Sequence, residues 1–325
     1  MAPLFTLSEL EVAAETVHAA MPPTPQYGWP GLSARAGCEV WLKHENHTPI
    51  GAFKVRGGIV YMADLAARRP GCPGVVTATR GNHGQSIPFA ARVHGIPVTV
   101  YVPEGNAVEK NRAMEGWGAE LVVHGHDFEA ARVESVRVAE AEGRHLVPSF
   151  HPLLVMGVAT YALELFRATP DLDVVYVPIG LGSGLCGVIT ARDLLGLRTE
   201  VVGVVAEGAD AYARSFEAGR PVETGTATTF ADGMACRVPV PEALEIITAG
   251  AARIVRVSDV EIAEAIRAIF ADTHNAAEGA GAAPFAALTK ERDRLAGRRA
   301  AAILCGGNID SAKMAAVLAG GTPSP

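Results

Sequence analysis

The sequence predicts an α/β protein built on mostly parallel sheets covered by helices. Three observations predict it. Short apolar runs alternate with alanine-rich helical patterns along nearly the whole chain. The runs carry few polar residues, as strands buried on both faces do. Each is followed by a helical pattern rather than a tight turn, so the strands are joined by crossovers.

Taken in order, Thr6 with Glu9 forms a capping box that opens an amphipathic helix reaching about Ala20. Strand-like runs follow at Glu39–Leu42, Gly74–Ala78, Val98–Val102 and Glu120–Val123, then at Asp173–Val177, Val201–Val205, Ile254–Val257 and Ala301–Leu304. Helical patterns lie between them at Lys54–Ala67, His83–His94, Ala107–Trp117, Phe128–Glu142 and Leu153–Ala168. Others cover Leu185–Leu195, Asp259–Ala271 and Pro284–Ala296, and Ser258 with Glu261 repeats the capping box. No internal repeat or low-complexity linker interrupts the series.

The 325 residues are 49% hydrophobic and 19% charged, a globular composition. A formal charge of −7 leaves no broad basic surface for nucleic acid or anionic lipid. The five cysteines (Cys38, Cys72, Cys186, Cys236, Cys305) are odd in number and form no C-x-x-C pair. That argues against a disulfide framework or zinc knuckle and for a reducing, cytoplasmic location. Met1 to Glu11 lacks the basic start and apolar run of a signal peptide. The most apolar stretch, Val174–Ala191, is broken by Pro178 and glycines, so no membrane span is expected.

Parallel sheets bind ligands beyond the carboxyl ends of their strands, so the turns found there carry the chemistry. After Val177 comes Pro178-Ile179-Gly180-Leu181-Gly182-Ser183-Gly184, then a helix. Glycines admit an anion to the backbone, and the helix start offers unpaired N–H groups, so phosphate is the natural guest. Gly182 to Gly187 also satisfies G-x-G-x-x-G, with Glu207 about twenty residues on, as in dinucleotide folds. Taken alone, that motif reads as an NAD-type dehydrogenase. Lys54 lies among apolar and small residues at a helix start in His47–Gly58. Burial and the helix dipole there both disfavour its ammonium form and free the amine as a nucleophile toward an aldehyde. Thr79-Arg80-Gly81-Asn82-His83 ends a strand and opens another helix, offering amides and the Asn82 side chain to a carboxylate and a ring hydroxyl. Cys305-Gly306-Gly307-Asn308 closes the last strand.

These four segments, in this order, resemble the fold-type II pyridoxal-phosphate (PLP) enzymes, a two-lobed tryptophan synthase β-like fold. Within them they resemble the threonine/serine dehydratase (threonine ammonia-lyase) and serine racemase branch. The likeness runs from about Pro22 to Ala316. It implies that Lys54 bonds the cofactor aldehyde and shuttles the α-proton. Gly180, Leu181, Gly182, Ser183 and Gly184 would wrap the phosphate, while Asn82 holds the ring hydroxyl. Phe53 would pack on the ring, Cys305 face its nitrogen, and the backbone of Gly233 lie close by. Thr79, Arg80, Gly81, Asn82 and His83 would receive the substrate. A thiol is a weak partner for a ring nitrogen. A neutral Cys305 therefore suits prompt loss of a β-leaving group over transamination.

Three positions depart from the pattern. Ala52 replaces a serine before Phe53. Arg80 stands where the racemase has a serine acting on the opposite face, and a guanidinium is a poor proton relay. Racemisation as the main activity is therefore disfavoured, and Arg80 is free to hold the α-carboxylate or a second substrate carboxylate. Ala213 removes one acid from the branch's divalent-cation site, leaving Glu207, an Ala211 carbonyl and a misplaced Asp210. No metal is expected, with Glu207 as a weak candidate. Glu278 reads equally as a helix N-terminal charge or a contact near the cofactor.

The resemblance thus implies β-hydroxyl elimination from a 3-hydroxy amino acid, giving a 2-keto acid and ammonia. The L-threonine or L-serine type is the default, with phenylserine and 3-hydroxyaspartate also open. A racemase or a β-replacement synthase is the alternative. The implied architecture is a small mobile lobe, 52–149, inserted into a large cofactor-binding lobe, 1–51 and 150–325, in a homodimer.

Overall fold

The computed structural model describes residues 3–325. Thr6 caps α1 (Leu7–Ala20), its hydroxyl and the Glu9 carboxylate closing the expected capping box. Then come β1 (Gln26–Gly28), α2 (Pro30–Ala36), β2 (Glu39–His44) and α3 (Lys54–Arg68). The next stretch alternates β3 (Val75–Ala78), α4 (Asn82–Ala91), β4 (Val98–Val102), α5 (Val108–Gly116), β5 (Glu120–Val123), α6 (Phe128–Ala141) and β6 (His145–Leu146). It continues with α7 (Pro152–Ala168), β7 (Val174–Pro178), α8 (Ser183–Leu194), β8 (Glu200–Ala206) and α9 (Ala211–Ala218). The chain ends with α10 (Pro241–Gly250), β9 (Arg253–Val257), α11 (Asp259–Thr273), α12 (Gly279–Lys290), β10 (Arg299–Leu304) and α13 (Ser311–Leu318).

The strands form two sheets. One has six strands in the order β1-β2-β10-β7-β8-β9, and the other four in the order β5-β4-β3-β6. Among the described residues only β1 runs antiparallel; every other strand pairing is parallel. Parallel register brings strand ends level. Because Ala302 pairs with Tyr176, Cys305 after β10 and Ile179 after β7 leave the sheet at the same end. The largest apolar core packs on the six-stranded sheet, and two smaller cores lie on the four-stranded one.

Four short helices escaped the periodicity. Pro30 and Pro241 begin α2 and α10, and left-handed Gly37 and Gly219 end α2 and α9, but each helix spans too few turns to show a face. The fourth, α13, is equally short. The two-residue β6 and the three-residue edge β1 are likewise too short for alternation. One boundary needs correction: α12 begins at Gly279, not Pro284, and ends at Lys290. The early start is built from small residues, and it makes Glu278 the N-cap.

The segment that matters most, α3, is held from several sides. A Cβ on Gly57 would sit 2.8 Å from the Leu154 carbonyl, and one on Gly157 would sit 2.4 Å from the Arg56 carbonyl. Glycine at both positions lets the backbones of α3 and α7 touch. Ser86 Oγ of α4 donates to the Lys54 carbonyl at 2.6 Å. Two residues on, the buried Arg56 pairs with Glu45 and Glu164 at 2.7 Å each. Lys43 pairs with Glu164 at 2.6 Å, so two cations face two carboxylates inside the protein.

Candidate active site

Lys54 is the first residue of α3, partly buried, and the chain before it is stitched to the end of β10. The Phe53 N–H donates to the Cys305 carbonyl at 2.9 Å, Ala52 bridges Gly306, and the Gly307 N–H donates to the Gly51 carbonyl at 2.9 Å. The lysine Nζ donates to Ser183 Oγ at 3.0 Å and lies 5.0 Å from the Phe53 ring centre. Burial pushes its pKa down to about 8. A buried amine poised near neutral pH is a competent nucleophile for a carbonyl.

Ser183 belongs to the glycine loop. Gly182 takes φ +96°, a left-handed conformation suited to glycine. A Cβ on Gly180 would meet the Gly233 carbonyl at 2.3 Å, so the loop abuts the 231–234 segment. The first helical bond of α8 runs from the Cys186 N–H to the Gly182 carbonyl. The N–H groups of Ser183, Gly184 and Leu185 therefore precede any helical acceptor and mark an anion site at the positive helix end. Tyr212 donates to the Leu181 carbonyl at 2.9 Å and Tyr161 to the Gly184 carbonyl at 3.2 Å, fixing the loop from behind. Phe53 packs edge-on to Tyr161 with centroids 6.2 Å apart.

At the start of α4, Thr79 is buried and its Oγ1 accepts the Gly81 N–H at 3.0 Å. That amide is thus used within its own turn, and those of Asn82, His83 and Gly84 remain ahead of the first helical acceptor, Gly81. His83 is buried against Thr77 Oγ1 at 3.1 Å. Burial, reinforced by the charge of Lys54, lowers its pKa to about 3, so it is neutral. Asn82 Nδ2 donates to Glu278 Oε1 at 2.6 Å, and its Oδ1 accepts from Asn308 at 2.8 Å. Cys305 is buried, and burial, with Glu278 adding to it, holds its thiol well above the ordinary range and neutral.

Lys54, His83, Ser149 and Ser183 line one narrow cavity together with Gly57, Leu154 and Val158. Phe53 and Cys305 adjoin Lys54, and the glycine loop joins the group through Ser183 and Gly233 through Gly180. Arg80 is exposed and forms no ion pair among the described residues. Glu207 lies apart, 3.4 Å from Lys290, and Asp210 is paired with Arg214 and Arg256. Ser149, Lys110 and Asp232 carried no recognisable role in the sequence. Asn308 was visible only as the tail of its motif.

A dinucleotide site is not what the glycines build. Gly187, the last glycine of that pattern, lies where a Cβ would meet the Ala159 backbone at 3.1 Å, so it serves helix packing between α7 and α8. The donor set instead matches a group with three handles. An amine stands ready for an aldehyde, helix N–H groups for a phosphate, and a neutral thiol and an amide for an aromatic ring.

Comparison with known proteins agrees. Residues 17–306 match the family model described as pyridoxal-phosphate dependent enzyme. An L-threonine ammonia-lyase of Geobacter sulfurreducens is 35% identical over 280 residues, 86% of this chain and 69% of the relative. An L-threo-3-hydroxyaspartate ammonia-lyase of a Pseudomonas species is 32% identical over 95% of this chain and 97% of its own. The processed threonine deaminase isoform 2 of Solanum lycopersicum superposes with a TM-score of 0.87 at 26% identity, covering 97% of this chain and 94% of its own. The chain belongs to the pyridoxal-phosphate dependent enzymes, and pyridoxal phosphate is its cofactor.

Proposed function

We propose that this enzyme removes the β-hydroxyl of an L-3-hydroxy amino acid and releases a 2-keto acid and ammonia. The observation that carries the proposal is the Lys54 amine, its pKa near 8, bonded to Ser183 at the head of an anion-binding helix. The Geobacter and Pseudomonas relatives, both named as ammonia-lyases, support it.

When bound, the cofactor supplies a conjugated system that spreads the charge developing at the substrate α-carbon. Lys54 would hold the cofactor aldehyde, and its amine, once freed, would take the substrate α-proton. The free N–H groups opening α4 orient the substrate carboxylate. Neutral His83 and neutral Cys305 add no competing charge, and the apolar lining of Leu154 and Val158 keeps water from the reacting carbon. The β-hydroxyl departs as water by taking up one proton, which balances the one that Lys54 removed, and the released enamine is hydrolysed by water in solution to the 2-keto acid and ammonia.

Residues 52–149 act in this proposal as the smaller, mobile lobe. The four-stranded sheet, whose strands all fall between Val75 and Leu146, supports that division. Five buried, unpaired cysteines fit a reducing cytoplasm, and no helix among the described residues is long and apolar enough to cross a membrane. A homodimer belongs to the same proposal and is checked by light scattering.

The test is a panel of 3-hydroxy amino acids, both enantiomers, assayed for ammonia, keto acid and inverted product. Ammonia with keto acid supports elimination, whereas inverted amino acid alone would mark a racemase. Incorporation of an added thiol would mark a β-replacement synthase. Borohydride treatment of the yellow enzyme should leave one adduct at Lys54, and Lys54→Ala should show neither adduct nor turnover.

A further inference from the structure

Lys110 is a nearly buried cation that the proposed chemistry does not use. It sits on α5, beside the four-stranded sheet, and its stem crosses Gly81, where a Cβ would meet Lys110 Cδ at 2.7 Å. Its ammonium leaves that unit altogether. Nζ lies 2.7 Å from Asp232 Oδ2 and 3.5 Å from Glu278 Oε2, both carried by segments that flank the six-stranded sheet. Burial alone would lower its pKa, but Glu278 and Asp232 outweigh that and raise it, so the lysine is charged.

Glu278 needs that charge. The residue is buried, it crowds the Cβ position of Gly306 at 2.5 Å, and its Oε2 has no hydrogen-bond partner. Burial raises its pKa above the ordinary carboxylate range, Lys110 is the cation that opposes this, and Asp232 adds to the rise. The charge of Glu278 sets how firmly Asn82 is held. A carboxylate accepts from Asn82 Nδ2, as seen at 2.6 Å, and this agrees with Asn308 donating to Asn82 Oδ1. Asn308 is itself oriented by donating to the Ile50 carbonyl at 2.8 Å. One amide hydrogen of Asn82 then remains unspent. A protonated Glu278 would still accept through its one carbonyl oxygen, but without the charge that makes this contact short and strong.

We infer that Lys110 is a positioning residue: reaching between the two sheet units, it keeps Glu278 a carboxylate, the strong acceptor that with Asn308 holds Asn82 so that its spare N–H is free for the cofactor ring. The inference rests on the assignment of Lys54 and Asn82 to the cofactor. It distinguishes Lys110 from a merely stabilising ion pair because the effect passes through Glu278.

The test is a double-mutant cycle on cofactor binding rather than turnover. Apo forms of the wild type, Lys110→Met, Glu278→Gln and the double variant are titrated with pyridoxal 5′-phosphate. The visible absorption band and tryptophan quenching are followed, alongside thermal unfolding of each apo protein. Lys110→Met should weaken binding about 10-fold or more and displace the band. In the Glu278→Gln background, where no carboxylate needs neutralising, the same change should cost less than about 3-fold. Lys110→Arg, which keeps the charge, should bind within about 3-fold of wild type and show its band.

Wild-type affinity and spectrum in Lys110→Met, or an equal loss with and without Glu278, would overturn the inference. If Lys110→Met does not fold, Lys110→Gln compared with Lys110→Arg carries the same contrast. Failure of the Lys54 assignment would look different, because the wild type itself would then develop no band.

Discussion

The Lys54 amine and the Ser183 hydroxyl are 3.0 Å apart, joining the first residue of α3 to the first residue of α8. The nucleophile and the anion cradle are thereby held as one unit, although 128 residues separate them in the chain. Neither helix start depends on a flexible loop tip. Lys54 is fixed by the Cys305 and Ser86 contacts and Ser183 by the tyrosine-braced glycine loop.

The lowered pKa of Lys54 predicts the pH dependence of cofactor capture. Only the neutral amine attacks an aldehyde, so the rate at which apoenzyme takes up pyridoxal phosphate should rise with pH around a midpoint near 8. The same shift has a stability consequence. A lysine whose folded pKa lies below the unfolded 10.5 penalises the folded state below pH 8, and the penalty fades as pH rises from 8 to 10.5. Lys54→Met should therefore raise the melting temperature of the apo form at pH 7 and have less effect at pH 10. Stopped-flow absorbance and calorimetry check the two parts.

Ser183→Ala removes the acceptor of the lysine ammonium. A lost hydrogen bond to a charged group disfavours the charged form, so the midpoint of cofactor capture should fall by roughly half a unit to one unit. The adduct at Lys54 should still form. An unmoved midpoint would show that the hydroxyl does not touch the amine in solution.

Arg80 is an exposed guanidinium beside the helix start assigned to the substrate, with no ion-pair partner among the described residues. Such a group suits a substrate bearing a second carboxylate, and the Pseudomonas relative is named for L-threo-3-hydroxyaspartate. Arg80→Ala should then lower kcat/KM for 3-hydroxyaspartate by about 10- to 100-fold while changing that for serine little. An equal loss on both substrates would assign Arg80 to the α-carboxylate instead.

Most of this site was legible because its residues are local in sequence. Lys54, the glycine loop, the Thr79–His83 turn and Cys305 each sit in a short motif at a strand or helix end, where the backbone itself makes the geometry. What was not legible depends on side chains meeting across long separations. Lys110 lies in an ordinary polar helical pattern, and nothing near it in sequence announces Asp232 or Glu278, its partners 122 and 168 residues on. Gly81 illustrates a subtler limit. Its amide looked open for a carboxylate, but Thr79 competes for it locally, as threonine side chains in turns do. The direction of Arg80 was equally beyond the sequence, which does not say whether a long side chain folds over a cleft or into solvent.

The buried ion cluster behind Lys54 makes the last prediction, one about stability. Arg56 is fully buried and bonded to Glu45, Glu164, Thr24 and Thr160, and Lys43 completes the charge balance. Replacing one member strands the others, so Arg56→Met should cost about 3–5 kcal/mol and release α3 from α7. Glu164 supplies the pH dependence. Burial opposes its ionisation, but Arg56 and Lys43 outweigh that and hold its pKa at about 2. A carboxyl with a depressed folded pKa contributes its stability above the unfolded value of 4.5, and loses it as pH falls toward 2. That contribution is of order 3 kcal/mol. Chemical denaturation from pH 6 to pH 2.5 should show the loss in wild type and a flatter profile in Glu164→Gln, which starts lower. Parallel profiles would mean that Glu164 is not the group whose protonation unlocks the cluster.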